Sequence, residues 1–148
     1  VVGSVWLWRM AAFRDIGGFD SNIFLYNEDV DICLRTARAG YSLIVDTEAI
    51  VHHGGGVSER LSAKTRWRKD WNLTWSHFYM TSKYRGVEVA RAEARSKVWR
   101  FAGAALFGLL LAKPKTVVGQ LARMFGAIRF LQGKPSWLRD HWVTPPPY

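Results

Sequence analysis

Trp67, Trp71, Trp75 and Phe78 recur at spacings of four, four and three residues, the step pattern that sets side chains on one face of an α-helix. Four large rings on one face are core material, so the second half of the chain is expected to be built around this helix. Helical patterning starts at about Leu61. A further helix is predicted around 87–112, ending in "FAGAALFGLLLA", and Lys113-Pro114-Lys115 breaks it. An amphipathic helix follows over 116–131, with Arg123 and Arg129 beside Val117, Val118, Leu121, Phe125 and Ile128. The twelve uncharged residues from Phe101 to Ala112 are too few to cross a bilayer, which takes about 20. "TPPPY" closes the chain as an extended tail.

Charge changes where the patterning does. Residues 1–60 hold 5 basic and 8 acidic side chains, while residues 61–148 hold 16 basic and 4 acidic, within a total of +9. The chain is read accordingly as two parts, 1–60 and a basic helical extension, 61–148. A basic surface rich in tryptophan suits an anionic membrane or a nucleic acid. It also suits ordinary solvated helix faces. The single cysteine, Cys33, has no partner for an internal disulfide and no Cys/His neighbours at zinc-ligand spacing, which points to a reducing compartment, the cytoplasm by default. The chain opens on Val1 inside an apolar run with no signal-peptide succession, and is expected to be a piece of a longer protein.

The first 60 residues read as α/β. "VVGSVWLW" at 1–8 is strand-prone, "RMAAFRDIGGFD" reads as a short helix ended by Gly17-Gly18, and "YSLIVD" and "AIVHH" read as two short strands before a "GGG" loop at 54–56. Between them lies a helix with Asn27 as N-cap and Gly40 just past its end.

That helix begins with Glu28, Asp29 and Asp31. Carboxylates in a first turn oppose the positive end of the helix dipole, and Asp31 to Arg35 fits an i,i+4 ion pair, so acidity alone implies no chemistry. Position separates the three. At about 100° per residue, Val30, Cys33, Leu34 and Ala37 share an apolar face expected to be buried, while Glu28, Asp31, Arg35 and Arg38 gather opposite. Asp29 belongs to neither group; it lies on the flank near Cys33, away from neutralising cations. A half-sheltered, unpaired carboxylate with a fixed direction is what a general base requires. Asp29-Val30-Asp31 spells the letters of a metal-diphosphate motif, but on a helix the two carboxylates point about 200° apart and do not share an ion.

The second constellation is "AIVHHGGGVS", 49–58. Strand alternation sends His52 and His53 to opposite faces, and the glycines let backbone N–H groups approach an anion. A simple turn carrying two histidines fits the same letters. No HExxH, GxSxG or P-loop pattern is present.

Taken together, Gly3, Arg9, "GGFD" at 17–20, "FLYNEDVDICLR" at 24–35, "AG" at 39–40 and "VHHGGGVS" at 51–58 resemble the second half of family 2 glycosyltransferases, nearest to the rhamnosyltransferase-like enzymes of bacterial cell-surface polysaccharide assembly. The resemblance is close over about residues 1–60 and loose at "RWRKDWNL". It implies the C-terminal part of a GT-A fold and an inverting transfer of rhamnose or a similar hexose from a nucleotide-sugar donor to an acceptor hydroxyl. By the same resemblance Asp29 is the base and Glu28 its motif partner. Gly18, Phe19 and Asp20, with Arg9, are candidates for the acceptor side. His52, or less readily His53, would help hold a divalent metal, Mg²⁺ or Mn²⁺, or the donor diphosphate. The nucleotide-binding half is absent from this sequence, and the isolated chain is expected to be inactive.

Such a transfer needs a carboxylate to take the acceptor's proton and positive charge to receive the departing diphosphate. Acceptors in such pathways are commonly lipid-linked. Peripheral contact with the inner face of the cell membrane through Lys64, Arg66, Arg68, Lys69, Lys97, Arg100, Lys113 and Lys115 is therefore expected, and nucleic acid is not. The alternative is a non-enzymatic basic module that binds membrane or nucleic acid.

Overall fold

The computed structural model describes residues 5–52 and 62–136. They form five helices: α1 (Met10–Asp15), α2 (Glu28–Arg38), α3 (Ala63–Arg85), α4 (Val87–Leu110) and α5 (Pro114–Leu131). His53, the glycines at 54–56, the start of the first expected strand and the "TPPPY" tail lie outside the described residues.

Local chemistry sets the ends of the long helices. Ser62 caps α3 by accepting the Thr65 backbone N–H at 3.1 Å. Gly86, at φ 99°, turns the chain from α3 into α4 in a single residue, a conformation that side-chain-bearing residues rarely adopt. The α4–α5 corner passes through Ala112 at φ 50°, and Pro114 stands at the start of α5, where its missing N–H costs nothing.

α3, α4 and α5 each pack against the other two. The aromatic stripe is the core as expected: Trp71, Trp75, Phe78 and Tyr79 of α3 are buried, with Trp67 partly buried against them. Trp75 stacks on Tyr79 at 5.3 Å and donates its indole N–H to the Lys134 carbonyl at 3.2 Å. Opposite these large rings the sequence places small residues, Ala90 and Ala94 on α4 and Gly119, Ala122, Gly126 and Ala127 on α5. A Cβ on Gly126 would stand 2.6 Å from the Trp71 carbonyl oxygen, so α5 lies directly on the α3 backbone there. Arg123 on α5 pairs with Asp70 on α3 at 2.8 Å beside this contact. The seam explains why Val117, Val118, Leu121 and Ile128 are only half-buried and Phe125 is exposed: the face of α5 that packs is its small-residue face.

The expected α/β fold is not what the described residues form. Among them there is no strand, and residues 41–46 and 49–52 carry no regular structure. Strand propensity is a fit to a pleated, half-buried surface, and a strand exists only through the ladder it makes with a neighbour. No described segment offers that neighbour: Ile44 is 86% and Ile50 83% exposed. In place of the GT-A-like strand-and-helix fragment, the described residues have α1, α2 and irregular segments beside a unit of three long helices.

Candidate active site

The short "GGFD" turn precedes the acidic helix and is shaped by backbone. Gly17 and Gly18 follow α1 at φ 74° and 66°. Gly18 lies under Phe13, whose ring would stand 3.1 Å from an added Cβ. Phe19 is exposed, stacks on Trp6 at 6.2 Å and meets Phe13 edge-on at 5.7 Å. Arg9, at the head of α1, is exposed.

α2 is turned about its axis relative to its apolar pattern. Asp31, Ile32, Arg35 and Thr36 are buried, while Val30, Leu34 and Ala37 face outward and Cys33 is half-buried. Tertiary charge pairing decided this orientation. Lys83, reaching from α3 with 3% of its side chain exposed, donates to Asp20 Oδ2 at 2.8 Å and Asp31 Oδ1 at 2.7 Å. Arg35 Nε bonds Asp31 Oδ2 at 2.9 Å, which makes the expected i,i+4 pair a fully buried one. The remaining Arg35 N–H groups donate to the carbonyls of Ile16 and Gly18, the latter at 2.6 Å. Tyr79 OH donates to Asp20 Oδ2 at 2.8 Å, and Tyr84 OH to Asp31 Oδ1 at 2.8 Å. Two carboxylates, two cations and two phenols therefore balance in a buried cluster that ties the glycine turn and α2 to α3.

The electrostatics follow. Burial by itself would raise the Asp20 carboxyl's pKa, but bonds from Lys83, Asn22 and Tyr79 outweigh it and leave it below the ordinary value. The Tyr79 and Tyr84 phenols are pushed up, first by burial and then by Asp20 and Asp31 respectively. Asp20, a candidate for the acceptor side, is 2% exposed and spends its oxygens on Asn22, Tyr79 and Lys83. It braces the turn, and its side chain does not reach solvent among the described residues. Gly18 is buried as well, whereas Phe19 and Arg9 remain accessible.

The other two acids of the triplet behave differently. Glu28 and Asp29 are half-buried, and among the described residues neither makes an ion pair. Asp29 Oδ1 accepts the Val30 backbone N–H at 2.8 Å. Asp29 lies close enough to Cys33 to raise the thiol's pKa further, after burial, the larger cause. Just before them, Tyr26 and Asn27 are consecutive non-glycine residues in the left-handed region, φ 66° and 68°, each costing about 1–2 kcal/mol. Asn27 occupies the N-cap position without capping through its side chain. Its Nδ2 and Glu28 Oε2 are buried atoms with no hydrogen-bond partner among the described residues. Strain and unmet polar capacity at one helix start are features that structures tolerate mainly where function needs them.

Tyr26 also lines a cleft of about 220 Å³ with Arg66, Lys69, Asp70 and Leu73 of α3. Burial, then the nearby charges of Asp70 and Glu28, push its phenol up. His52 is exposed in the irregular segment after α2. Among the described residues no three His, Cys, Asp or Glu side chains come together as a metal site, so the described donors do not by themselves fit a divalent ion.

Lys83, Tyr79, Tyr84 and Asn22 went unnoticed in the sequence. The signal was there for two of them: Trp71, Trp75, Tyr79 and Lys83 continue the core stripe at a constant step of four, so a lysine falls where the next core residue belongs.

A family model described as glycosyl transferase family group 2 matches residues 1–132. An N-acetylglucosaminyl-diphospho-decaprenol L-rhamnosyltransferase, found in two Mycobacterium tuberculosis strains, CDC 1551 / Oshkosh and ATCC 25618 / H37Rv, is 44% identical over 52 residues, covering 34% of this chain and 17% of the relative. Rhamnosyltransferase WbbL of Escherichia coli strain K12 is 46% identical over 41 residues, 28% of this chain and 16% of the relative. The alignments thus span about a sixth of the length of these curated relatives. No solved structure gives a significant match. The family match bears out the resemblance of the ordered motifs and runs on through α5, well beyond them: the chain belongs to glycosyl transferase family group 2.

Proposed function

We propose that this chain carries the catalytic base of an inverting glycosyltransferase. The enzyme would move rhamnose or a similar hexose from a nucleotide-diphosphate donor to an acceptor hydroxyl in cell-surface polysaccharide or glycolipid synthesis. The observation that carries the reading is the contrast within one helical turn: Asp31 is consumed by Arg35, Lys83 and Tyr84, while Asp29 is half-sheltered and makes no ion pair among the described residues. The relatives' names, both rhamnosyltransferases and one with a diphospho-decaprenol acceptor, support the sugar and a lipid-linked acceptor.

In this mechanism Asp29 takes the proton from the acceptor hydroxyl as that oxygen bonds to the sugar's anomeric carbon. The bond to the donor diphosphate breaks on the opposite face, and the configuration inverts. Unlike a glycosidase, the site needs no second carboxyl to protonate the leaving group. The diphosphate departs with added negative charge, and Arg66 and Lys69 on the cleft beside Tyr26 are cations suited to receive it. Phe19 and Arg9, both exposed, are the accessible candidates for contact with the acceptor sugar. A divalent ion would require donors beyond His52, and no step above depends on one.

The test is Asp29→Asn in the full-length enzyme, assayed with a nucleoside-diphosphate-rhamnose donor. Turnover should fall by about 10²–10⁴-fold with donor affinity unchanged, the signature of a lost general base. Undiminished turnover removes Asp29 from the mechanism.

A further inference from the structure

The outer face of α4 has an apolar stripe that no described residue covers. Trp99, Leu106 and Leu110 lie within a narrow arc at about 100° per residue, and Gly103 shares the arc without interrupting it. Trp99 is 79% and Leu110 75% exposed, and Phe107, Leu109 and Leu111 widen the patch at the α4–α5 corner. From Trp99 to Leu110 the stripe runs about 16 Å along the helix. Large contiguous apolar surface of this kind is uncommon on a protein facing only water.

The charged residues that flank it along α4 and the start of α5 are basic. Arg95 and Arg100 stand at one end and Lys113 and Lys115 at the other, all exposed. No Asp or Glu occurs in the sequence between Glu93 and Asp140, so the stripe and the α5 residues that follow it carry no carboxylate of their own. The corner itself is firmly built. Gly108 packs so closely on α5 that an added Cβ would stand 3.3 Å from both Thr116 and Val117, and Lys113 N–H closes the turn on the Gly108 carbonyl at 2.8 Å. No helix among the described residues is long and apolar enough to cross a membrane.

We propose that the α4–α5 corner is an interfacial anchor that inserts Leu106, Leu110 and Trp99 into the headgroup region of a bilayer containing anionic lipid. Arg95, Arg100, Lys113 and Lys115 meet the phosphates around them. The chemistry selects lipid over a second copy of the chain, because two such faces would bring Arg95, Arg100, Lys113 and Lys115 against one another, and residues 94–139 contain no acid to offset them. Lipid satisfies both components at once: acyl carbon for the stripe and phosphate for the ring of cations. The anchor is independent of the transfer reaction and holds or fails without it.

The experiment is sedimentation of the full-length protein with vesicles of phosphatidylcholine, with and without phosphatidylglycerol, across a salt series. Binding should require phosphatidylglycerol and weaken with salt. Leu106→Gln with Leu110→Gln should reduce it by roughly tenfold per leucine, with helix content and melting unchanged because both side chains are exposed. A lipid-induced blue shift in tryptophan emission should be diminished in Trp99→Phe. Lys113→Ser with Lys115→Ser should weaken binding and flatten its salt dependence. Vesicle binding undisturbed by the leucine substitutions would overturn the anchor. So would a leucine variant that changes the protein from dimer to monomer while neither form binds vesicles, since the stripe would then be a self-association face.

Discussion

Lys83→Met removes one charge from the buried cluster while keeping most of the lysine's length and apolar stem. In the native protein Lys83 serves Asp20 at 2.8 Å and Asp31 at 2.7 Å with almost no exposure to water. Removing one partner of a buried ion pair costs about 3–5 kcal/mol, because the charge left behind stays desolvated. Here the carboxylates keep other donors, Asn22 and Tyr79 for Asp20, Arg35 and Tyr84 for Asp31, which places the loss near the lower end, about 3 kcal/mol. For a chain of this size that is a fall in Tm of about 6–12 °C. The pH dependence gives the charge argument its own readout. Asp20 has a lowered folded pKa, so its contribution to stability is complete above its unfolded pKa, about 4, and is lost as pH falls through the folded value. In Lys83→Met a main cause of that lowering is gone while burial remains, so the Asp20 pKa rises and protonation relieves the variant's penalty. Melting followed by circular dichroism should therefore show a wide gap between native and variant near neutral pH that narrows toward about pH 4. Equal melting near neutrality, or a gap unchanged on acidification, would refute the view that charge compensation holds α2 to α3.

The two neighbouring aspartates should separate cleanly. Asp31→Asn removes the carboxylate from Arg35 and Lys83, which keep the Ile16 and Gly18 carbonyls and Asp20, and should cost about 3 kcal/mol in denaturant unfolding, whereas Asp29→Asn should cost no more than the loss of a first-turn dipole contact, about 0.3–1 kcal/mol. Glycine substitutions should have opposite signs on two helices. Gly126→Ala drives a methyl into the Trp71 carbonyl oxygen and should destabilise by about 1–3 kcal/mol despite the better helix former. Gly103→Ala meets nothing within 4 Å and should stabilise by about 0.5–1 kcal/mol, measured in the same unfolding experiment.

Periodicity located α3, α4 and α5 to within a few residues, and the aromatic stripe at 67–78 told where the core lies. The ordered motifs of the first 60 residues told the family. The strands failed for a definite reason. "YSLIVD" and "AIVHH" have the composition of strands, but hydrogen bonds between strands belong to a pair, and composition carries no information about whether the partner is present. Asp20 shows a related limit in the site: its motif says nothing of the Lys83 and Tyr79 bonds, made from far along the chain, by which it braces the glycine turn.

What the sequence by itself determined was what depends on neighbours a few residues away: helix positions, the Ser62 cap, the Gly86 reversal and the i,i+4 pairing of Asp31 with Arg35. The rotation of α2 was decided only in three dimensions. Taken alone, that helix should bury Val30 and Leu34. It buries Asp31 and Arg35 because α3 brings Lys83 and Tyr84 to the same place from more than fifty residues along the chain. A buried carboxylate with two cations and a phenol is tolerable where an unpaired one is not, and that compensation is a property of the packed assembly.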